Sequence, residues 1–235
     1  MNLAREAGQL LLAIRARIGA EPPDDVMAEG DRRSHELLMA RLTGWHPDDA
    51  VLSEEGRDDH RRLDAARVWI VDPLDGTREF GEPPRTDWAV HVALVIGGDP
   101  VAGAVALPAR ERVLSTLSPP AVPEPGPRER MVVSRRRPPA WVSVLVSALD
   151  AELVEMGSAG AKAMAIVQGD ADVYAHAGGQ HEWDSAAPVA VARAAGLHCS
   201  RIDGSPLVYN RPDPWLPDLL ICRPELAGRV IAALR

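Results

Sequence analysis

Lysine is almost missing from this chain of 235 residues: Lys162 is the single one, and the remaining strongly basic side chains are all arginine. Cysteine is nearly as scarce, with only Cys199 and Cys222. That leaves no disulfide framework and suits a reducing, cytoplasmic setting. No apolar run reaches the roughly 20 residues that a membrane-spanning helix needs. The run Leu10–Ile14 is short and is followed by Arg15 and Arg17, which reads against a secretory signal. Positive charge is not in excess: the net charge is −8 and the pI about 5.4, which argues against a nucleic-acid-binding surface. No internal repeat is visible. The hydrophobic fraction, 46%, is that of an ordinary globular protein, and the length allows one large domain or two subdomains with a proper core.

What is present is concentrated in one stretch, Trp69 to Thr77, W-I-V-D-P-L-D-G-T. Val68–Val71 is an apolar, partly β-branched run that predicts a buried strand. Asp72 is expected to end that strand and Pro73 to stop it. Asp75-Gly76-Thr77 predicts a turn opening a helix, capped by Asp75 or Thr77. Two carboxylates three residues apart, on a strand end and a helix start, can converge on one point. N–H groups at a helix start attract phosphate. Carboxylates gathered at the same place then need a cation between them and the anion, and a hard divalent ion such as Mg²⁺ fits. The alternative for these residues alone is a turn with two solvated aspartates.

Acidic residues elsewhere stand in comparable places. Ser53-Glu54-Glu55-Gly56 follows the short apolar run Ala50-Val51-Leu52, and Trp183-Asp184-Ser185-Ala186-Ala187 opens an Ala-rich helical segment. The ordered set S-E-E, W-I-V-D-P-L-D-G-T and W-D-S-A-A resembles the inositol-monophosphatase superfamily of Mg²⁺-dependent, lithium-sensitive phosphatases, over nearly the whole chain. The resemblance implies a mixed α/β (α+β) fold, the layered αβαβα sandwich of sugar phosphatases. It implies two or three Mg²⁺ ions per site, with Glu54, Asp72 and the Leu74 carbonyl holding one and Asp72, Asp75 and Asp184 a second. Glu54, rather than Glu55, aligns with the family ligand, and a third, weaker ion near the attacking water would also fall to Glu54. Thr77, with Asp31 behind it, would orient and deprotonate that water, and the N–H groups of Gly76 and Thr77 would hold the phosphate. For Asp31 a helix N-cap is the alternative reading.

Three segments resemble the nucleotide-directed, CysQ-type branch of that superfamily. Ser134 and Arg135 in V-V-S-R match a nucleotide-contacting segment, although Arg136 and Arg137 stand where the branch has Ser and His. Gly157, Ser158 and Lys162 match a substrate-side G-S-S-x-K segment with one extra residue. An ammonium beside a helix start is a sound way to hold a second phosphate. Arg78-Glu79-Phe80 matches T-K-E-F. After Tyr174, where inositol enzymes carry a glutamate, Ala175, His176 and Ala177 stand instead.

Along the chain, Leu3, Ala7, Leu10, Leu11, Ile14 and Ile18 share a helical face that should end near Gly19. A polar connection is expected over 21–30 and a helix over 34–42. A hairpin is expected over 86–107, with His91 a packed residue of its first strand, and a short strand over 113–117. The linker S-P-P-A-V-P-E-P-G-P, 118–127, suggests two subdomains. Residues 1–127 would carry most metal ligands, and residues 128–235 would carry Asp184 and the nucleotide-side contacts. The second unit should open with a strand at 131–133, place a helix over 185–195 closed by Gly196, a strand–turn–strand over 197–209, a strand at 219–222 and a helix over 225–234.

The expected activity is Mg²⁺-dependent hydrolysis of a small phosphorylated nucleotide, 3′-phosphoadenosine 5′-phosphate, a by-product of sulfate assimilation. The same chemistry on inositol phosphate or fructose 1,6-bisphosphate is the alternative. A non-catalytic metal- or nucleotide-binding module is the reading from another class, and it would be marked by a lost ligand, whereas Glu54, Asp72, Asp75 and Asp184 are all present. An aspartyl-phosphate route needs D-x-D spacing, and the spacing here is D-P-L-D. Neither a nucleic-acid nor a membrane partner is expected. The family's habit of pairing makes a homodimer the assembly to look for.

Overall fold

The computed structural model describes residues 1–136 and 141–234, so Arg137 lies outside the described residues. Seven helices and ten strands of the described chain stack in five layers, helix–sheet–helix–sheet–helix. The first sheet comprises β1 (Ala50–Ser53), β2 (Val68–Asp75), β3 (Ala89–Ile96), β4 (Asp99–Leu107) and β5 (Arg112–Ser115), in that spatial order. Only β1 and β2 are parallel; the rest is an antiparallel meander. The second sheet has the order β7-β6-β8-β10-β9, built from β6 (Arg130–Ser134), β7 (Glu152–Met156), β8 (Val173–His181), β9 (His198–Ser200) and β10 (Trp215–Cys222).

Both faces of each sheet are covered, and the strands alternate accordingly. In β2 and β3, Ile70, Ala89, Ala93 and Val95 face the middle layer, while Val71, Val90 and Val92 face an outer one. That outer layer is α1 (Asn2–Arg15) and α2 (Pro23–Trp45). In the second sheet Met131, Val133, Leu220 and Cys222 turn outward to α4 (Val142–Leu149) and α7 (Pro224–Ala233), and Val132, Leu219 and Ile221 turn inward. The middle layer is α5 (Ala159–Gln168) and α6 (Glu182–Ala194), whose alanines let a helix fit between two sheets. The approach is closest at Gly103 of β4: a Cβ there would lie 2.8 Å from Ala190 Cβ and 2.9 Å from the Ala187 carbonyl oxygen. One continuous core spans the middle layer and takes side chains from both sheets. The change of sheet falls in 116–129, where Pro123 is tied down by Arg223, whose Nη2 donates to its carbonyl at 2.8 Å.

Several elements differ from the sequence-based expectation. The first helix stops at Arg15 rather than near Gly19. The segment 21–30 is no connection: α2 starts at Pro23, with Pro at its first position and Asp24 and Asp25 in its first turn, and runs through Gly30 and Asp31. Asp31 is therefore mid-helix, not an N-cap. Gly30 is tolerated there because Phe80 and Leu74 fill the space a Cβ would take, at 3.1–3.2 Å. Pro73 does not stop β2; the pairing with β3 slips between Asp72 and Asp75, and the proline sits in that irregularity. Residues 207–209 form no strand. Leu207 and Tyr209 are apolar because they are buried, and β9 pairs with β10 instead. A short helix, α3 (Thr77–Phe80), does follow, but its N-cap is Gly76 in the left-handed conformation at φ 84°, with no side-chain cap from Asp75 or Thr77.

Candidate active site

Three elements deliver four carboxylates to one point. The slip in β2 brings both Asp72 and Asp75 inward, buried at 1% and 7% exposure. Glu54 follows β1, the parallel neighbour of β2, and its carboxyl lies beside that of Asp72. Asp184 sits in the first turn of α6, where its Oδ2 accepts the N–H of His181 at 2.7 Å and closes a capping box. Asp75 is held by the start of α5: Ser158 Oγ donates to it at 2.5 Å, as do the N–H groups of Gly160 at 2.5 Å and Ala159 at 3.1 Å. Asp72 accepts the N–H of Leu74 at 3.1 Å.

The electrostatics record the crowding. Burial, with the charges of Glu54, Asp75 and Asp184 added, raises the Asp72 carboxyl well above the usual range. Loss of hydration pushes Asp184 up to about 6, with Asp75 adding to it. Glu54 is pushed up to about 7, again chiefly by desolvation, with Asp184, Asp75 and Glu55 contributing. Burial alone would raise Asp75 too, yet His91, Ser158 and the Gly160 N–H together hold it below the ordinary value. Asp72 and Asp75 offer ligand atoms within 4.8 Å of one another and of His91, and Glu54, Asp72 and Asp184 resist ionisation, so a predominantly carboxylate donor set suits a hard divalent cation, which would supply the missing positive charge. The residues present therefore fit the expected metal.

Helix α2 frames the same point. Thr77 Oγ1 lies 3.1 Å from Asp31 Oδ1 and 3.1 Å from the Leu74 carbonyl oxygen. Ser34, one turn on from Asp31, donates to the Pro73 carbonyl at 2.7 Å, and His35 Nδ1 meets Ser53 Oγ at 2.9 Å. One face of α2 thus fixes the ends of both strands that carry ligands. Desolvation pushes Asp31 up to about 7, against the hydrogen bond from Thr77.

Beside the cluster opens a cleft of about 860 Å³ lined by Gly76, Thr77, Arg78, Glu79, Ser134, Arg135, Arg136, Gly157, Ser158 and Lys162. All seven residues read from the sequence as substrate-side are among them. Lys162 is buried; its Nζ donates to the Gly157 carbonyl at 3.0 Å and lies 5.5 Å from the Tyr174 ring centre. Burial lowers its pKa, while Asp75, Glu79 and Asp184 pull the other way. Arg135 is engaged by acids, through Nε with Glu79 at 2.6 Å and through Nη2 with Glu82 at 2.7 Å.

Three buried residues escaped the reading by sequence. His91, expected only to pack, stands opposite Asp72 in the β2–β3 register, and its Nε2 is 3.2 Å from Asp75 Oδ2. Its Nδ1 donates to the carbonyl of Trp183, the residue before Asp184, at 3.0 Å. The signal was strand parity: His91 shares its face with Ala89 and Ala93, toward the middle layer. Asp87 accepts the N–H of Gly157 at 2.6 Å and so fixes the loop leading into α5. Glu79 enters the reading by sequence only as part of the T-K-E-F-like segment; its burial beneath Arg135, whose Nε donates to it at 2.6 Å, does not.

With five layers, a carboxylate cluster and an adjoining cationic cleft in place, the class is defined: the chain belongs to the inositol monophosphatase family, whose model matches residues 1–119 and 127–235. Within it, the chain is 52% identical over 238 residues to the 3′-phosphoadenosine 5′-phosphate phosphatase of Mycobacterium tuberculosis, covering 97% of this chain and 89% of that protein. Among solved structures, CysQ from Bacteroides thetaiotaomicron superposes with a TM-score of 0.78 at 27% identity, covering 94% of each chain. Inositol monophosphatase II from Staphylococcus aureus superposes at 0.83 with 19% identity, covering 98% of this chain and 91% of that one, which establishes the shared fold.

Proposed function

We propose that this chain is a Mg²⁺-dependent phosphomonoesterase that removes the 3′-phosphate of 3′-phosphoadenosine 5′-phosphate, giving AMP and inorganic phosphate and so clearing a by-product of sulfate assimilation. The observation that carries the reading is the pairing of two unlike sites. One is a carboxylate cluster suited to cations facing a reacting phosphoryl group. The other is a cleft in which Arg78, Arg135, Arg136 and Lys162 outnumber Glu79. In a chain of net charge −8, such a concentration of positive charge suits a second phosphate. An inositol monophosphate has no use for it, and no glutamate follows Tyr174 to bind its hydroxyls.

In this reading Glu54, Asp72, Asp75, Asp184 and the Leu74 carbonyl hold two or three Mg²⁺ ions. When bound, these supply positive charge to the phosphoryl oxygens and lower the pKa of water. The chain's own groups do the rest. Thr77 Oγ1 accepts a hydrogen bond from the attacking water and passes its proton toward Asp31, whose raised pKa suits it to receive one near neutrality. The water oxygen bonds to phosphorus as the bond to O3′ breaks, and the departing 3′-oxygen takes a proton from solvent water. The N–H groups of Gly76 and Thr77 hold the phosphoryl oxygens, while Ser134, Arg135, Gly157, Ser158 and Lys162 bind the remainder of the nucleotide. Lithium in the millimolar range is expected to inhibit by taking one Mg²⁺ position.

Phosphate release measured in parallel from 3′-phosphoadenosine 5′-phosphate, inositol 1-phosphate and fructose 1,6-bisphosphate tests the proposal. The expected result is a kcat/KM at least tenfold higher for the bisphosphorylated nucleotide, a gap of about 1.4 kcal/mol. A preference for inositol phosphate would reject it.

A further inference from the structure

Glu79 is a buried carboxylate, 6% exposed, in the wall of a cleft whose other charged lining residues are cations. It has no part in the metal cluster. Two glycines make room for it: a Cβ on Gly157 would lie 2.1 Å from Glu79 Cδ, and one on Gly76 would lie 3.3 Å from its Oε2. The backbone beneath is clamped as well, since Arg15 donates to the carbonyls of Phe80 at 2.7 Å and Glu79 at 3.1 Å. Left alone, a carboxylate in this place would repel an anionic ligand. It is instead bonded to Arg135 Nε at 2.6 Å, while Glu82 takes Nη2 at 2.7 Å and also holds Arg136 at 2.8 Å.

We propose that Glu79 is a positioning residue which, through Arg135, sets the preference for a substrate carrying a second phosphate over the corresponding monophosphate. The proposal rests on the bisphosphate reading above and adds a residue to it. Arginine recognises phosphate by a planar edge of paired donors, and a free arginine side chain loses considerable rotamer freedom when it is fixed. Glu79 and Glu82 hold Nε and Nη2, so the plane of the guanidinium is set before the ligand arrives, and Nη1, which neither acid holds, is left to meet a phosphate oxygen. Preorganisation of this kind strengthens binding by removing an ordering cost, with no added contact.

The test uses the intact enzyme with Mg²⁺ and two substrates, 3′-phosphoadenosine 5′-phosphate and adenosine 3′-monophosphate, which lacks the second phosphate. Glu79→Gln, nearly the same size, is expected to raise KM for the bisphosphate about tenfold, as loss of a charge-assisted hydrogen bond would. Its kcat should stay within about twofold, and both parameters for the monophosphate should remain unchanged. In an Arg135→Ala background the same substitution should have no further effect on the ratio of the two KM values, because it acts through Arg135. Equal effects on both substrates, a lowered KM for the bisphosphate, or additivity with Arg135→Ala would overturn the proposal. If Glu79→Gln is not recovered folded, Glu79→Asp, which keeps the charge but cannot reach Arg135, is expected to give the same split, and the same contrary results would reject it. Absence of bisphosphate hydrolysis in the unmodified enzyme would instead count against the proposed function.

Discussion

Asp184→Asn should make the metal-free protein more stable while destroying its activity. In the fold Asp184 is pushed up to about 6, mainly by loss of hydration and then by Asp75, whereas in the unfolded chain it titrates as an ordinary aspartate near 4. The folded state therefore binds a proton that the unfolded state has released between about pH 4 and pH 6, and stability falls as pH rises through that window. Above it the full penalty of the charged side chain is present, on the order of 3 kcal/mol at about 1.4 kcal/mol per pH unit. Asparagine carries no charge yet its side-chain oxygen still accepts the His181 N–H, so the capping bond is kept. For a protein of this size a gain of 1 kcal/mol corresponds to about 2–4 °C in Tm. Melting curves in chelator should place the variant about 6–12 °C above the unmodified protein at pH 8 and level with it at pH 4. With Mg²⁺ added at pH 8 the unmodified protein should rise by mass action and the variant should gain much less. A variant less stable than its parent in chelator at pH 8 would refute the reasoning, because it would mean that Asp184 is not held against its own charge.

Other expectations follow from single contacts. Thr77→Ala removes the hydroxyl 3.1 Å from Asp31, and kcat should fall by about 10²–10⁴ with little change in KM; a loss confined to KM would contradict the proton-transfer role. Binding of Mg²⁺, followed by calorimetry, should weaken as pH falls below about 7 and release protons on binding, since Glu54 must lose one. Gly103→Ala puts a Cβ 2.8 Å from Ala190 and should push α6 off β4, at a cost of about 1–3 kcal/mol read as a lowered Tm; an unchanged Tm would show that the helix can shift freely.

The site was more legible in the sequence than the elements that frame it. Asp72, Asp75 and Thr77 stand within one short motif, so their convergence depends on local chain geometry. Asp31 is different. Its helix reads as a loop from Glu21 to Gly30, and the close approach of Leu74 and Phe80 to that glycine is a tertiary contact the sequence does not display. The strand through Pro73 was obscured for a related reason: a proline is excluded from a regular ladder, and the irregular pairing that admits it is set by the partner strand β3. Leu207 and Tyr209 have the composition of a strand but are buried by tertiary contacts, Tyr209 through its hydroxyl to Ser185 at 3.1 Å and its N–H to Gly98 at 2.9 Å. His91 and Glu79 could not be ranked from sequence because each acts on a partner distant along the chain, Trp183 in one case and Arg135 in the other.

The central claim is that side chains from β1, β2 and α6 jointly hold divalent cations. Anomalous diffraction from crystals soaked in Mn²⁺, a Mg²⁺ surrogate with the same preference for oxygen, measures this directly. Strong peaks are expected among Glu54, Asp72, Asp75 and Asp184, about 3.5–4 Å apart as in two-metal sites, and at least one should disappear in Asp184→Asn. Peaks elsewhere, or none at this cluster under conditions that support catalysis, would contradict the account.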